Sequence, residues 1–285
     1  MPVDPSAQVA PTARIHPDAV VGPQCVVGEY CVIESDVVLG AGCRLEPYVF
    51  LKRWTTLGSG NLISAGACLG TDPFDKSFTG ERSYLRIGGG NVIREHFTIS
   101  RGTQPESATE IGDGNYIMGS GHIAHNTRMG SNCTIASCVL IAGHCVIEDQ
   151  VFISGGVGVH QFTRVGRLAM IGGNIRVNQD VPPYFIYSKF EIEPSGLNRV
   201  GLKRAGLGRA ETDALKRAYK ILYLSGLKLA DALARIEAEV PTPDTLHLVS
   251  FIRQCKRTIA RPSRRGSARH VLLTDQEGVG EDAGD

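Results

Sequence analysis

Branched aliphatic side chains recur at every sixth position of the chain's first half. Val3, Val9, Ile15, Val21, Val27, Ile33, Leu39, Leu45, Leu51, Leu57, Ile63 and Leu69 form an unbroken run of twelve. Ile111, Ile117, Ile123, Met129, Ile135, Ile141, Ile147, Ile153, Val159, Val165, Ile171 and Val177 form a second run of twelve. A period of six fits neither the 3.6 of a helix nor the 2 of a plain strand. It predicts a β-helix built from hexapeptide rungs. In AQVAPT, ARIHPD, AVVGPQ and CVVGEY the aliphatic turns inward and Pro, Asp or Gly follow it as corner formers. Three hexads close a triangular coil of 18 residues, and coils stack at the strand spacing of about 4.8 Å.

The rhythm fails twice, over residues 71–84 and 101–110, while Ile87, Ile93 and Ile99 carry it in between. Such interruptions in a solenoid predict loops ejected from one edge, often on a binding face. The β-helix is expected to span residues 1–187, with Pro182 and Pro183 ending its ladder because they lack backbone donors. From about Pro194 the pattern becomes helical, and helices are expected over 210–224, 228–240 and 245–259 within an α-helical region, residues 188–260. The polar, Gly-rich stretch 261–285 reads as a disordered tail.

Composition adds limits. A net charge of +1 makes no case for nucleic acid. No apolar run approaches the roughly 18 residues of a membrane span, and the N-terminus lacks a basic start followed by an apolar stretch, so no signal peptide and no stable membrane insertion are expected. The eight Cys include no C-x-x-C pair, and Cys25, Cys31 and Cys43 each stand two residues before a core aliphatic. They read as small buried residues in a reducing, cytoplasmic setting.

Counting in eighteens brings chemistry together. His125, Gly143 and Gln161 should stack, as should Asn126 and His144, with Ala124, Ala142 and His160 in the adjoining column and His122 in the coil of His125. Two chemistries suit a cluster of imidazoles. Three of them could hold Zn²⁺ with an open position, as in a hexapeptide-repeat carbonic anhydrase, though carboxylate partners for such ligands are sparse. Alternatively, one His is a general base, and the bare backbone N–H of Gly143 meets a developing oxyanion. Base plus donor is the minimum equipment for acyl transfer from a thioester, and it is the preferred reading. A non-catalytic trimeric scaffold is the remaining alternative.

The stretches GHIAHNTRMG, IAGHCVIED and GGVGVHQFTRVG, the exit QDVPPY and the helical start GLNRVGLKRAG resemble the UDP-N-acetylglucosamine O-acyltransferase family, which opens lipid A synthesis. The resemblance covers roughly residues 7–260. It implies a left-handed parallel β-helix with a small α-helical C-terminal region, a homotrimer with active sites between subunits, a 3-hydroxyacyl donor on acyl carrier protein, a UDP-sugar acceptor, and no metal or other cofactor. It further implies His125 as the base, with Asn126 beside it, and Gly143 as oxyanion donor. His122, His144, His160, Gln161, Asp75, Asn198 and Arg204 fall on substrate-binding positions, and Gly155 and Gly173 on the acyl-chain groove, where Gly173 leaves room for a longer chain. Arg199, Lys203, Arg204, Lys216, Arg217 and Lys220 are available to an acidic carrier protein. The chain departs from the family pattern at five positions. Asn126 replaces the usual Asp, Phe74 replaces Gln, the Lys that should follow Asp75 by two is Ser77, and Val200 and Ala205 stand for Glu and Arg. These changes bear on the acceptor, and a 3-amino or other nucleotide sugar is the alternative they raise.

Overall fold

The computed structural model describes residues 3–188 and 192–262. Each hexad forms a strand, usually of two residues, and a corner. The strands gather into three sheets of 11, 9 and 8 strands, here the first, second and third faces, and all run parallel except the last strand of the first face. The chain visits the faces in that order and returns to the first after one coil, so Val9 pairs with Val27 and Val27 with Leu45. The sixth-residue aliphatics fill the prism: Leu51, Ile63, Ile93, Ile123 and Ile171 have no exposed surface. Val9, at the end coil, is 38% exposed because no coil lies beneath it. Cys25, Cys31 and Cys43 are buried beside this column, and all eight Cys are free thiols.

Two details explain the composition. The residue after the core aliphatic is often Gly because the next coil presses on it: a Cβ on Gly40 would lie 2.6 Å from the Gly58 carbonyl carbon. Most corners also place one residue of the hexad in the left-handed region, where Asn126, Asn132, His144 and Phe162 have φ between 57° and 66°. Gly and Asn take this conformation readily. Larger residues hold it because the coil pitch fixes the corner.

Both interruptions leave the corner between the second and third faces. The first loop runs from the strand Cys68–Thr71 to Tyr84–Ile87, the second from Thr98–Ser100 to Ala108–Ile111. Ile63 therefore pairs with Ile93, 30 residues on, and Ile93 with Ile117, 24 residues on, before the interval of 18 returns at Ile135. The loops add whole hexads. The six-residue rhythm survives them, whereas stacking by eighteens holds below and above them and fails only across them.

The C-terminal end corrects two expectations. Pro182 and Pro183 do not end the ladder, because the donors on either side of them are still used: Val181 N–H bonds Arg164 O and Tyr184 N–H bonds Arg167 O, each at 2.8 Å. Phe185–Ser188 adds a parallel strand beside Met170–Ile171. Residues 193–197, expected to be helical, form an antiparallel strand, Glu193–Leu197, which closes the first face. Helices α1 (Arg199–Arg204), α2 (Arg209–Tyr219), α3 (Leu229–Glu239) and α4 (Pro243–Arg253) follow, with a π-helical turn over Lys220–Leu224. Helix α4 stops short of residue 259, since the chain turns back and Ile259 bridges Asp180. The expected disordered tail lies outside the described residues from 263 onward.

The uniform core has a measurable consequence. Ile135 is fully buried, and Ile135→Ala is expected to reduce stability by about 2–5 kcal/mol, read as an earlier denaturant midpoint in a protein that still folds.

Candidate active site

The corner that ejects both loops also carries the histidines. His122–Ile123 is a second-face strand, and His125 and Asn126 are the corner that follows it. The next coils repeat the arrangement. His144 N–H bonds His125 O at 3.0 Å, and Phe162 N–H bonds Gly143 O at 3.1 Å. His125 thus stacks with Gly143 and Gln161, and Asn126 with His144 and Phe162.

His125 is 6% exposed. Its tautomer follows from its neighbours. Thr103 donates its backbone N–H to the Asn126 side chain at 3.1 Å, and its hydroxyl contacts the same atom at 2.9 Å. A backbone N–H can only donate, so that atom is the amide oxygen Oδ1. His125 Nδ1 lies 3.1 Å from Oδ1 and must therefore carry the proton. Nε2 is left with its lone pair free, as a general base requires. The Asp75 carboxylate, delivered by the first loop, stands 4.0 Å from Nε2. Hydrogen bonds from the Ser77 N–H and hydroxyl hold that carboxyl below its ordinary range. It consequently stays ionised as pH falls into the range where imidazoles protonate, so acid inactivation should come from an imidazole rather than from Asp75.

Gly143 sits directly on the His125 ring. A Cβ there would lie 2.4 Å from Cε1 and 2.6 Å from Nε2. Its N–H occupies a corner position that has no partner in the ladder. Elsewhere the sequence answers this position with Pro, at 5, 11, 17, 23 and 47, or with a carboxylate from an adjacent coil. Glu34 accepts from Arg53 N–H at 2.9 Å, Asp149 from Ser131 N–H at 2.7 Å and Glu148 from Arg167 N–H at 2.7 Å. The Gly143 N–H has no hydrogen-bond partner among the described residues.

The other imidazoles frame this pair. His122 Nδ1 lies 2.7 Å from the Thr98 hydroxyl, and its buried Nε2 has no partner. Burial lowers the pKa of His122. Burial and, after it, the nearby His125 lower that of His144. Phe74 stacks on His122 and Phe162 on His144, each with ring centroids 4.9 Å apart, while His144 meets His125 edge-on at 5.2 Å. His160 is exposed, and its Nδ1 donates to Gln161 O at 3.1 Å. Thr103, Thr98 and Phe162 were not singled out by the sequence. Phe162 was findable by counting 18 from His144, whereas Thr103 arrives on a loop that has no period. Among the described residues no three His, Cys, Asp or Glu side chains converge as metal ligands.

Four expected site residues lie elsewhere in the chain. Gly155 and Gly173 stack at the corner between the first and second faces, where Asn174 N–H bonds Gly155 O at 3.0 Å. Asn198 and Arg204 line a cleft of about 410 Å³ beside the first face, together with Phe152, Met170, Val200 and Ala205. The Asn198 side chain also serves the fold: Nδ2 donates to Leu168 O at 2.8 Å, and Oδ1 caps α1 by accepting from Gly201 N–H at 3.0 Å.

Residues 180–260 match the family model described as UDP N-acetylglucosamine O-acyltransferase, domain 2. A Gloeothece citriformis protein named acyl-(acyl-carrier-protein)–UDP-N-acetylglucosamine O-acyltransferase is 42% identical over 206 residues, 72% of this chain and 75% of that one. A Synechocystis protein of the same name is 39% identical over equal shares. Among solved structures, the UDP-N-acetylglucosamine acyltransferase of Bacteroides fragilis is 38% identical, with a TM-score of 0.87 over 89% of this chain and 100% of that one. The Francisella novicida enzyme is 33% identical, with a TM-score of 0.81 over 93% of this chain and 96% of that one. The coil is the left-handed parallel β-helix expected. The protein is an acyltransferase, and it belongs to the acyl-(acyl-carrier-protein)–UDP-N-acetylglucosamine O-acyltransferase family.

Proposed function

We propose that the chain transfers a 3-hydroxyacyl group from acyl carrier protein to the 3-hydroxyl of UDP-N-acetylglucosamine. His125 Nε2 takes the hydroxyl proton as the sugar oxygen attacks the thioester carbonyl. The carbonyl oxygen becomes an oxyanion, which the Gly143 N–H receives. The C–S bond then breaks, and the departing thiolate takes the proton back from His125. One observation carries this reading: the relay from Thr103 through Asn126 to His125 Nδ1 leaves a basic Nε2 against an unpartnered backbone N–H. The names of the relatives supply the donor and acceptor.

Assembly as a homotrimer belongs to the same proposal. Gly155 and Gly173 would serve the acyl chain from a neighbouring subunit's corner, Asn198 and Arg204 would reach the nucleotide, and the basic residues of α1 and α2 would meet the carrier protein. No helix among the described residues is long and apolar enough to cross a membrane, in keeping with work in the cytoplasm on a carrier-borne donor.

Asn126 bears on the acceptor. A neutral amide orients His125 but cannot offset imidazolium charge, and in this chain the nearby charge is that of Asp75. Asn126→Asp would still accept from Thr103 and His125. It is expected to keep kcat within about tenfold of wild type and to move the acid limb of kcat/KM to higher pH, because a carboxylate favours the protonated ring. A pH–rate profile of both proteins checks this. The acceptor itself is tested by competition between UDP-N-acetylglucosamine and its 3-amino analogue, with products separated by mass. Preference for the sugar ester supports the proposal, preference for the amide replaces the acceptor, and absence of both products removes the reading.

A further inference from the structure

One buried cation joins the two ejected loops at their roots. The Arg101 side chain is 5% exposed. Its guanidinium lies over the Trp54 and Phe78 rings, 5.2 Å from each centroid. Nη1 donates to Gly70 O at 3.3 Å and pairs with the Asp72 carboxylate, which Lys52 approaches to 3.7 Å on its other oxygen. The guanidinium thereby grips the first loop on its way out, at Gly70 and Asp72, and further along it at Phe78. The Arg101 backbone opens the second loop: its N–H bonds Thr71 O at 3.0 Å, and Gly102 N–H bonds Tyr84 O at 3.2 Å. That root is tight, since a Cβ on Gly102 would lie 2.7 Å from Ser107 O.

Each loop delivers one contact to the base. Three residues beyond Asp72, Asp75 reaches the Nε2 side of His125. Two residues beyond Arg101, Thr103 fixes Asn126 and so the Nδ1 side. Stability alone is a weak reason for this arrangement. A buried ion pair often contributes no more than apolar residues of the same volume, and Arg101 Nε is buried without a partner. Geometry is the stronger reason. A planar cation that packs on two rings and carries a fixed fork of donors can fix two loops at once, which a flexible ammonium cannot.

We infer that Arg101 is a positioning residue for the acyl-transfer base, setting Asp75 and the Thr103–Asn126 relay on opposite sides of His125. The inference rests on His125 being that base. Arg101→Met, which keeps volume without charge, is expected to lower kcat/KM for the sugar nucleotide by about 10- to 100-fold, the scale of a displacement of about 1 Å near reacting groups. The melting midpoint should stay close to wild type, and KM for the acyl donor should not change. Arg101→Lys, which retains charge but not the planar fork, is expected to recover only part of the loss and stands in should the Met variant fail to fold. Histidine-selective ¹⁵N NMR of the intact protein reads the positioning without turnover: His125 should be a single Nδ1–H tautomer in wild type and a mixture in the variants. Wild-type kinetics with an unchanged tautomer in a folded variant would overturn the inference, as would an activity loss matched by loss of folded protein. If the wild type formed no acyl sugar, the NMR comparison alone would decide the role of Arg101, separately from the acyl-transfer reading.

Discussion

His125→Ala is expected to lower kcat by about 10²–10⁴-fold with the β-helix intact. That loss corresponds to about 3–5 kcal/mol of barrier. The substitution removes the proposed base and leaves the aliphatic column untouched, because His125 sits on a corner while Ile123 and Ile141 fill the core. His122 and His144 are poor substitutes for it. The Nδ1 of His122 is engaged by Thr98, and Phe74 and Phe162 cover the two rings. Steady-state kinetics together with a thermal melt check both halves of the expectation. A loss of only a few-fold would mean that another group is the base.

Gly143→Ala is expected to cost about 10²–10³-fold in kcat, the scale for disabling an oxyanion donor. Two effects combine. The new methyl would need the space of the His125 ring, 2.4 Å from Cε1, and it would stand beside the N–H proposed to receive the oxyanion. The ring would have to shift, and the Asn126 contact that fixes its tautomer would be lost with it. The fold should tolerate the change better than Gly40→Ala, whose Cβ meets ladder backbone at 2.6 Å and not a side chain. In a His125→Ala background the clash disappears, so the double variant should be at least as stable as Gly143→Ala. Kinetics and melts on the three proteins separate ring displacement from loss of the donor.

Much of this was legible in the sequence because a solenoid repeats one physical demand. Each rung needs one inward aliphatic, one small residue where the next coil presses, and one residue that accepts a left-handed corner. Counting therefore located Ile123 beneath Ile141 and His125 beneath Gly143. Legibility ended where the repeat ended. The loops insert whole hexads, so the rhythm alone could not show that Ile63 skips 30 residues to reach Ile93. The Pro182–Pro183 pair looked like a terminus because each lacks a donor, yet Val181 and Tyr184 supply the bonds around it. The strand Glu193–Leu197 contains Pro194 and Gly196 and carries no strand signal. It forms by pairing with Phe185–Ser188, a tertiary effect.

The site divides along the same line. His125, Asn126, Gly143 and His144 stand on regular rungs and were placed by arithmetic. Asp75 was singled out by motif alone, and Thr103 and Arg101 reach the site through aperiodic loops. Yet Thr103 settles which nitrogen of His125 is basic, and Arg101 ties both loops to the coil. Gly155 and Gly173 are separated from His125 because they occupy another corner of the prism, and Asn198 and Arg204 because they belong to α1 and its cap beside the first face.

The most direct measurement of the central claim is the product formed when the purified protein is incubated with 3-hydroxyacyl carrier protein and UDP-N-acetylglucosamine. The expected product is a nucleotide sugar heavier by one hydroxyacyl group, linked as an alkali-labile ester at the 3-hydroxyl, with free carrier thiol released in equal amount. Carrier thioester left intact, while a reference enzyme of the family consumes it under the same conditions, would contradict it.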